Sequence, residues 1–90
     1  MVDFAELVER ESRGLVAAAT AIVGVQHVAE EIVQEAFERC YRRWGRVSKL
    51  DRPGAWVRRV AINEAISVAR RSSIVARTSS SWSPAPARSK

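Results

Sequence analysis

The stretch between residues 56 and 70 combines side chains that could hold a nucleic acid. On a helix turning about 100° per residue, Trp56, Arg59, Asn63 and Arg70 fall on one side. An indole can stack on an exposed base, guanidinium groups bind phosphates, and an amide can hydrogen-bond a base edge. Two alternatives stay open: Trp56 packs under the preceding loop or against the first helix, and the arginines are simply solvated.

Charge is divided unevenly along the 90-residue chain, whose net charge is +5. Residues 1–38 contain eight acids and two arginines, which gives −6. Residues 39–90 contain thirteen basic residues and two acids, which gives +11. A bipolar chain predicts one surface for a polyanion and another for a partner of different chemistry. The alternative is an acidic helix beside a basic tail, both solvated.

Several function classes lack the residues they need. One cysteine and one histidine provide neither a disulfide framework nor a zinc site. Because there is no nucleophile–base pair, Gly-rich phosphate loop or carboxylate dyad, we expect no catalysis, no cofactor and no small-molecule substrate. Cys40 is expected in the core and His27 at the surface.

The N-terminus begins MVDFAELVERE, and this acidic start is unlike the basic n-region of a signal peptide. The apolar run over residues 15–25 is shorter than the roughly 20 residues that a membrane-spanning helix needs. We therefore expect a cytoplasmic protein.

Helical periodicity and the absence of an alternating β-pattern predict an all-α fold. The first helix should cover residues 4–23, with Asp3 as N-cap, Glu6 completing a capping box and Gly24 as the stop. The second should cover residues 26–44 and end at Gly45. Its apolar side has two adjacent rows, which are Val28, Ile32, Ala36, Cys40 and Trp44, and Ala29, Val33, Phe37 and Tyr41.

A basic loop over residues 45–53 should lead to a third helix over residues 53–72, with Pro53 in its first turn. The expected architecture is a compact three-helix domain over residues 1–72. Its second and third helices should pack through the faces carrying Phe37, Tyr41, Val57 and Ala61. Residues 73–90 are rich in Ser, Pro, Ala and Arg, and we expect this tail to be disordered, at least from Arg77 onward.

Two segments in order, AEEIVQEAFERCYRRWGRV and RPGAWVRRVAINEAISVARR, resemble region 2 of bacterial RNA polymerase sigma factors, most closely the extracytoplasmic-function (ECF) group. In that group the first segment typically reads A-E-D-L-V-Q-E-x-F and the second A-W-L-x-R-x-A-x-N followed by R-R. The matching positions here are Ala29, Glu30, Glu31, Ile32, Val33, Gln34, Glu35 and Phe37, then Ala55, Trp56, Val57, Arg59, Ala61, Asn63, Arg70 and Arg71. The resemblance covers most of residues 4–72.

The resemblance implies a transcription initiation factor with two partners. One is core RNA polymerase, whose β′ clamp helices would dock on Glu31, Gln34, Glu35 and Arg39. The other is the non-template strand of the promoter −10 element, which the domain would recognise as the duplex melts. The residues implied for that strand are Lys49, Arg52, Trp56, Arg59, Asn63, Arg70 and Arg71. Within this set, Lys49 and Arg52 would help to form the pocket for a flipped base.

Some positions depart from the family pattern. Glu31 stands where Asp is usual, and Ile62 and Ser67 stand where Arg and Asp are frequent. The chain also ends before a region 4, the second helical domain that reads the −35 element, could begin. Truncation, a frameshift and an artificial boundary would each produce this end.

Two other functions stay open. The chain could be a protein-interaction module without promoter specificity, which binds polymerase or an anti-sigma factor as a decoy, or an inactive remnant. Its basic third helix could also bind a membrane surface, although the paired motifs argue against this reading.

Overall fold

The first helix, α1, spans Phe4–Val23 and is defined at both ends by its sequence. The Asp3 side chain accepts a 2.8 Å hydrogen bond from the Glu6 backbone N–H, so the predicted N-cap is confirmed. At the other end, Gly24 adopts φ 84° and its N–H donates to the Thr20 carbonyl at 2.7 Å. Glycine reaches this left-handed conformation without the steric penalty of a Cβ. The computed structural model describes residues 3–82, with side chains through residue 72.

The second helix, α2, spans Gln26–Arg42, which is two residues shorter than expected. Arg43 leaves helical geometry at φ −112°, and a separate turn, α3, follows over Trp44–Val47. The helix therefore ends before the predicted stop at Gly45, which is wrong. The predicted loop is also wrong over residues 45–47, which belong to α3. Gly45 has no positive φ, and the added turn directs Val47 into the core with no exposed surface.

The last helix, α4, begins at Pro53 as predicted and continues to Trp82, ten residues past the predicted end at Ser72. Its first turn lies against α1, where a Cβ on Gly54 would approach Glu11 Oε2 to 2.7 Å. The remainder of the expected disordered tail, residues 83–90, lies outside the described residues. Disorder stays a prediction for residues 83–90 only, because residues 73–82 belong to α4.

The three long helices each pack against the other two, as the all-α prediction requires. Every fourth residue of α4 from Val57 to Ala65 is fully buried. These short side chains allow a close approach because the distance between helix axes depends on the residues at the contact. The core comprises Leu7, Leu15, Ala19, Ala29, Ile32, Val33, Ala36, Phe37, Cys40, Val47, Val57, Ala61 and Ala65.

Tyr41, which the sequence predicts to pack between the second and third long helices, lies elsewhere. Phe37, Val57 and Ala61 are buried, whereas Tyr41 is 65% exposed and lies against Phe4 of α1, with ring centroids 5.1 Å apart. A row of residues spaced four apart drifts about 40° around the helix at each step. At Tyr41 the row has turned away from α4, so this ring covers the N-terminal end of α1 instead.

Candidate nucleic-acid interface and docking face

The α4 polar face consists of the predicted nucleic-acid residues on α4 and in the loop before it. All of its charged and amide side chains are solvent-exposed. The face is therefore open to a ligand and is not consumed by internal packing. Its members are Lys49, Arg52, Trp56, Arg59, Asn63, Arg70 and Arg71.

Trp56 differs from the rest of the α4 polar face because it is half-buried and packs against the hydrophobic core. Packing, which the sequence left as an alternative, is therefore part of its role. Helical periodicity places Trp56 on the same side of α4 as Arg59 and Asn63, which are both exposed. A ring held from behind by the core has few conformations to lose when a base stacks on its free surface.

The loop before α4 is held by a short series of backbone hydrogen bonds. The N–H groups of Lys49 and Leu50 donate to the carbonyls of Arg46 and Val47 at 3.2 and 3.0 Å. At the helix start, the Arg52 carbonyl accepts from the Ala55 N–H at 3.0 Å. These bonds hold Lys49 to α3 and hold Arg52 to the first turn of α4, which carries Trp56.

Arg71 already has a partner. Its guanidinium lies 3.6 Å from a carboxylate oxygen of Glu64, two helical turns earlier, and its side chain is 67% exposed. Sequence reasoning missed Glu64, although the spacing of seven residues places it on the same side of the helix. A phosphate would have to compete with this carboxylate for Arg71.

The α2 polar face consists of the predicted docking residues Glu31, Gln34, Glu35 and Arg39. The first three are exposed, and Arg39 is partly exposed. Arg39 Nη2 donates to Glu35 Oε2 at 3.3 Å, one helical turn apart. Among the described residues, no side chain forms a hydrogen bond or ion pair with Glu31 or Gln34. These two residues are the ones most available to a partner.

A groove of ≈ 760 Å³ runs between α1 and α2, and we call it the α1–α2 groove. Sequence reasoning missed it because it forms only when the two helices pack side by side. Apolar side chains line most of it, including Val8 of α1 and Val33 and Tyr41 of α2. Ser12, Glu30, Gln34, Glu38 and Arg42 provide its polar groups. Gln34 therefore belongs to both this groove and the α2 polar face.

The single cysteine has a structural role, as predicted. Cys40 is fully buried within the core, and this burial raises the pKa of its thiol above the usual value. The thiol is therefore neutral near pH 7, where a reactive cysteine needs its thiolate. His27 is exposed, as expected.

Two further properties concern the part of the chain that the structure describes. None of its helices combines the length and apolar character needed to cross a bilayer. No group of three or more His, Cys, Asp or Glu side chains in it is arranged to hold a metal ion.

A family model described as sigma-70 region 2 matches residues 7–74, which include α2, α3 and the two polar faces. Domains of this family take part in transcription initiation, where they bind core RNA polymerase and promoter DNA. No match to a curated protein or to a solved structure was found. Because the match covers most of the sequence, the chain belongs to the sigma-70 region 2 family.

Proposed function

We propose that this domain acts as a sigma factor of the bacterial ECF type, which docks on core RNA polymerase and captures the −10 element as the duplex melts. The α2 polar face would contact the β′ clamp helices, and the α4 polar face would hold the non-template strand. The observation that carries the proposal is the environment of Trp56. This indole packs against the core and lies on a side of α4 whose arginines and asparagine are exposed.

Strand capture follows from the chemistry of single-stranded DNA. A base leaving the duplex exposes an aromatic face, and stacking on a protein ring contributes about 1–3 kcal/mol per base. Arg59 and Arg70 would hold the neighbouring phosphates, and the Asn63 amide has the donor and acceptor needed to read a base edge. The α4 polar face thus combines basic side chains that bind the DNA backbone with an aromatic ring on which a base can stack.

Docking follows from the chemistry of the α2 polar face. Glu31 and Gln34 offer exposed acceptors one turn apart and without partners among the described residues. Carboxylates of this kind pair with arginines on a facing helix. The Glu35–Arg39 ion pair limits the motion of the next turn, so less side-chain entropy is lost on docking.

The test is a double dissociation with the 90-residue chain. Glu31→Lys combined with Gln34→Ala should abolish retention on bacterial core RNA polymerase and leave binding to a non-template −10 oligonucleotide unchanged. Arg59→Ala combined with Asn63→Ala should do the reverse. Glu9→Lys on the exposed side of α1 is the matched charge reversal and should affect neither assay.

The contrary outcomes are distinct. Retention on polymerase without preference for any oligonucleotide sequence would favour an interaction module over a promoter-reading factor. Equal loss in both assays from either double variant, together with lost helical circular dichroism, would indicate unfolding and would remove the support for two separate faces.

A further inference from the structure

The α1–α2 groove is an apolar concavity whose charged lining residues are two acids, Glu30 and Glu38, and one base, Arg42, so acidic groups predominate on its rim. Its apolar lining includes Val8, Val33 and the exposed ring of Tyr41. Glu30 and Glu38 both line it and are exposed. A helix that fits this groove would present apolar side chains at helical spacing with basic residues beside them.

The outer side of α4 has this character. Arg58, Ile62, Ile66 and Arg70 follow one another at intervals of four, so they form a single row along the helix. Ile66 is 37% exposed, Ile62 is partly exposed, and both arginines are exposed. We call the two isoleucines with their flanking arginines the isoleucine ridge.

The acidic pair beside the groove and the arginine pair of the ridge differ in spacing by about 6 Å along their helices. Glu30 and Glu38 lie about 12 Å apart along α2, and Arg58 and Arg70 about 18 Å apart along α4, at a rise of about 1.5 Å per residue. Long arginine side chains can cover the difference. The two arginines of the ridge can therefore pair with Glu30 and Glu38 while the isoleucines lie against the apolar lining of the groove.

We propose that this chain self-associates, with the isoleucine ridge of one copy seated in the α1–α2 groove of a second copy. One such contact uses the ridge of one copy and the groove of the other, so as a heterologous contact it leaves a free groove at one end and a free ridge at the other. Further copies can add in the same way. Because Arg70 also belongs to the α4 polar face, self-association would reduce access to that face. The inference itself does not depend on the proposed function.

Sedimentation velocity of the full 90-residue chain over a wide concentration range is the first measurement. The weight-average mass should rise with concentration, and higher salt should reduce it because exposed charge pairs are screened. Ile66→Asp damages only the ridge and Tyr41→Asp only the groove. Each should weaken self-association at least about tenfold, the scale of removing one apolar anchor from an interface. Ala21→Asp, at an exposed position of α1 outside both surfaces, is the matched control.

Mixing the two variants gives the decisive result. The Ile66→Asp chain keeps its groove and the Tyr41→Asp chain keeps its ridge, so an equimolar mixture should form a 1:1 dimer that does not extend. Should Tyr41→Asp lose helical circular dichroism, Glu30→Gln with Glu38→Gln replaces it as the groove variant. A wild-type chain that is monomeric at every concentration would overturn the proposal, and so would folded variants whose mixture stays monomeric.

Discussion

α2 and α4 both present polar side chains to solvent, but they hold them in different ways. The members of the α2 polar face point away from the core, and two of them, Glu35 and Arg39, pair with each other. The α4 polar face includes Trp56, which the core holds from behind. Substitutions on α2 should therefore change binding alone, whereas substitution of Trp56 changes stability as well.

The α2 polar face and the α4 polar face also differ in charge. The α2 polar face combines two carboxylates with one arginine, and the α4 polar face has five basic residues with Glu64 close to one of them. The first suits a protein partner with complementary charges, and the second suits a polyanion. Three experiments test this contrast.

Salt should produce the largest difference. If about five phosphates are contacted, log K for a single-stranded −10 oligonucleotide should fall with log[salt] at a slope of roughly −3.5. Between 50 and 200 mM salt, that slope weakens binding by about two orders of magnitude. Fluorescence anisotropy across a salt series measures it. A slope near zero would mean that the arginines of the α4 polar face do not contact phosphates.

Substitution of Trp56 should have the next largest effect. Trp56→Leu keeps apolar packing and removes the aromatic surface, so oligonucleotide affinity should fall about tenfold for one lost stacked base. Trp56→Phe should keep most of the wild-type affinity for the oligonucleotide. Neither variant should change retention on polymerase. Urea denaturation should show a loss of about 1–2 kcal/mol for either variant, since both remove part of a packed side chain. If leucine and phenylalanine bind the oligonucleotide equally, Trp56 serves packing alone.

Removal of Glu64 should have the smallest effect. Glu64→Gln frees Arg71 from its ion pair, and oligonucleotide affinity should rise about two- to fivefold, because an exposed pair is worth only about 0.5–1 kcal/mol. Glu9→Gln removes the same charge from α1 and serves as the control. An unchanged affinity for Glu64→Gln, measured by the same anisotropy assay, would place Arg71 outside the DNA contact.

The sequence by itself determined the helical class, the start of each long helix and most of the core. These features follow from local rules that act within a few residues. Asp3 caps α1, Gly24 ends it in a left-handed conformation, and Pro53 opens α4. The two apolar rows of α2 indicated its core side because helical periodicity is a property of the chain alone. The exposure of the two polar faces followed from the same periodicity.

Only the tertiary structure decided where side chains lie when neighbouring helices compete for them. An extra helical turn, α3, forms where the sequence indicated a loop, and it buries Val47. Tyr41 packs on Phe4 of α1 instead of facing α4. Trp56 packs against the core and is also partly exposed. The apolar periodicity of one helix does not predict this double environment. The α1–α2 groove likewise exists only between two packed helices. The physical reason is that burial depends on the surface supplied by other elements, whereas helix capping and periodicity depend on the few residues nearby.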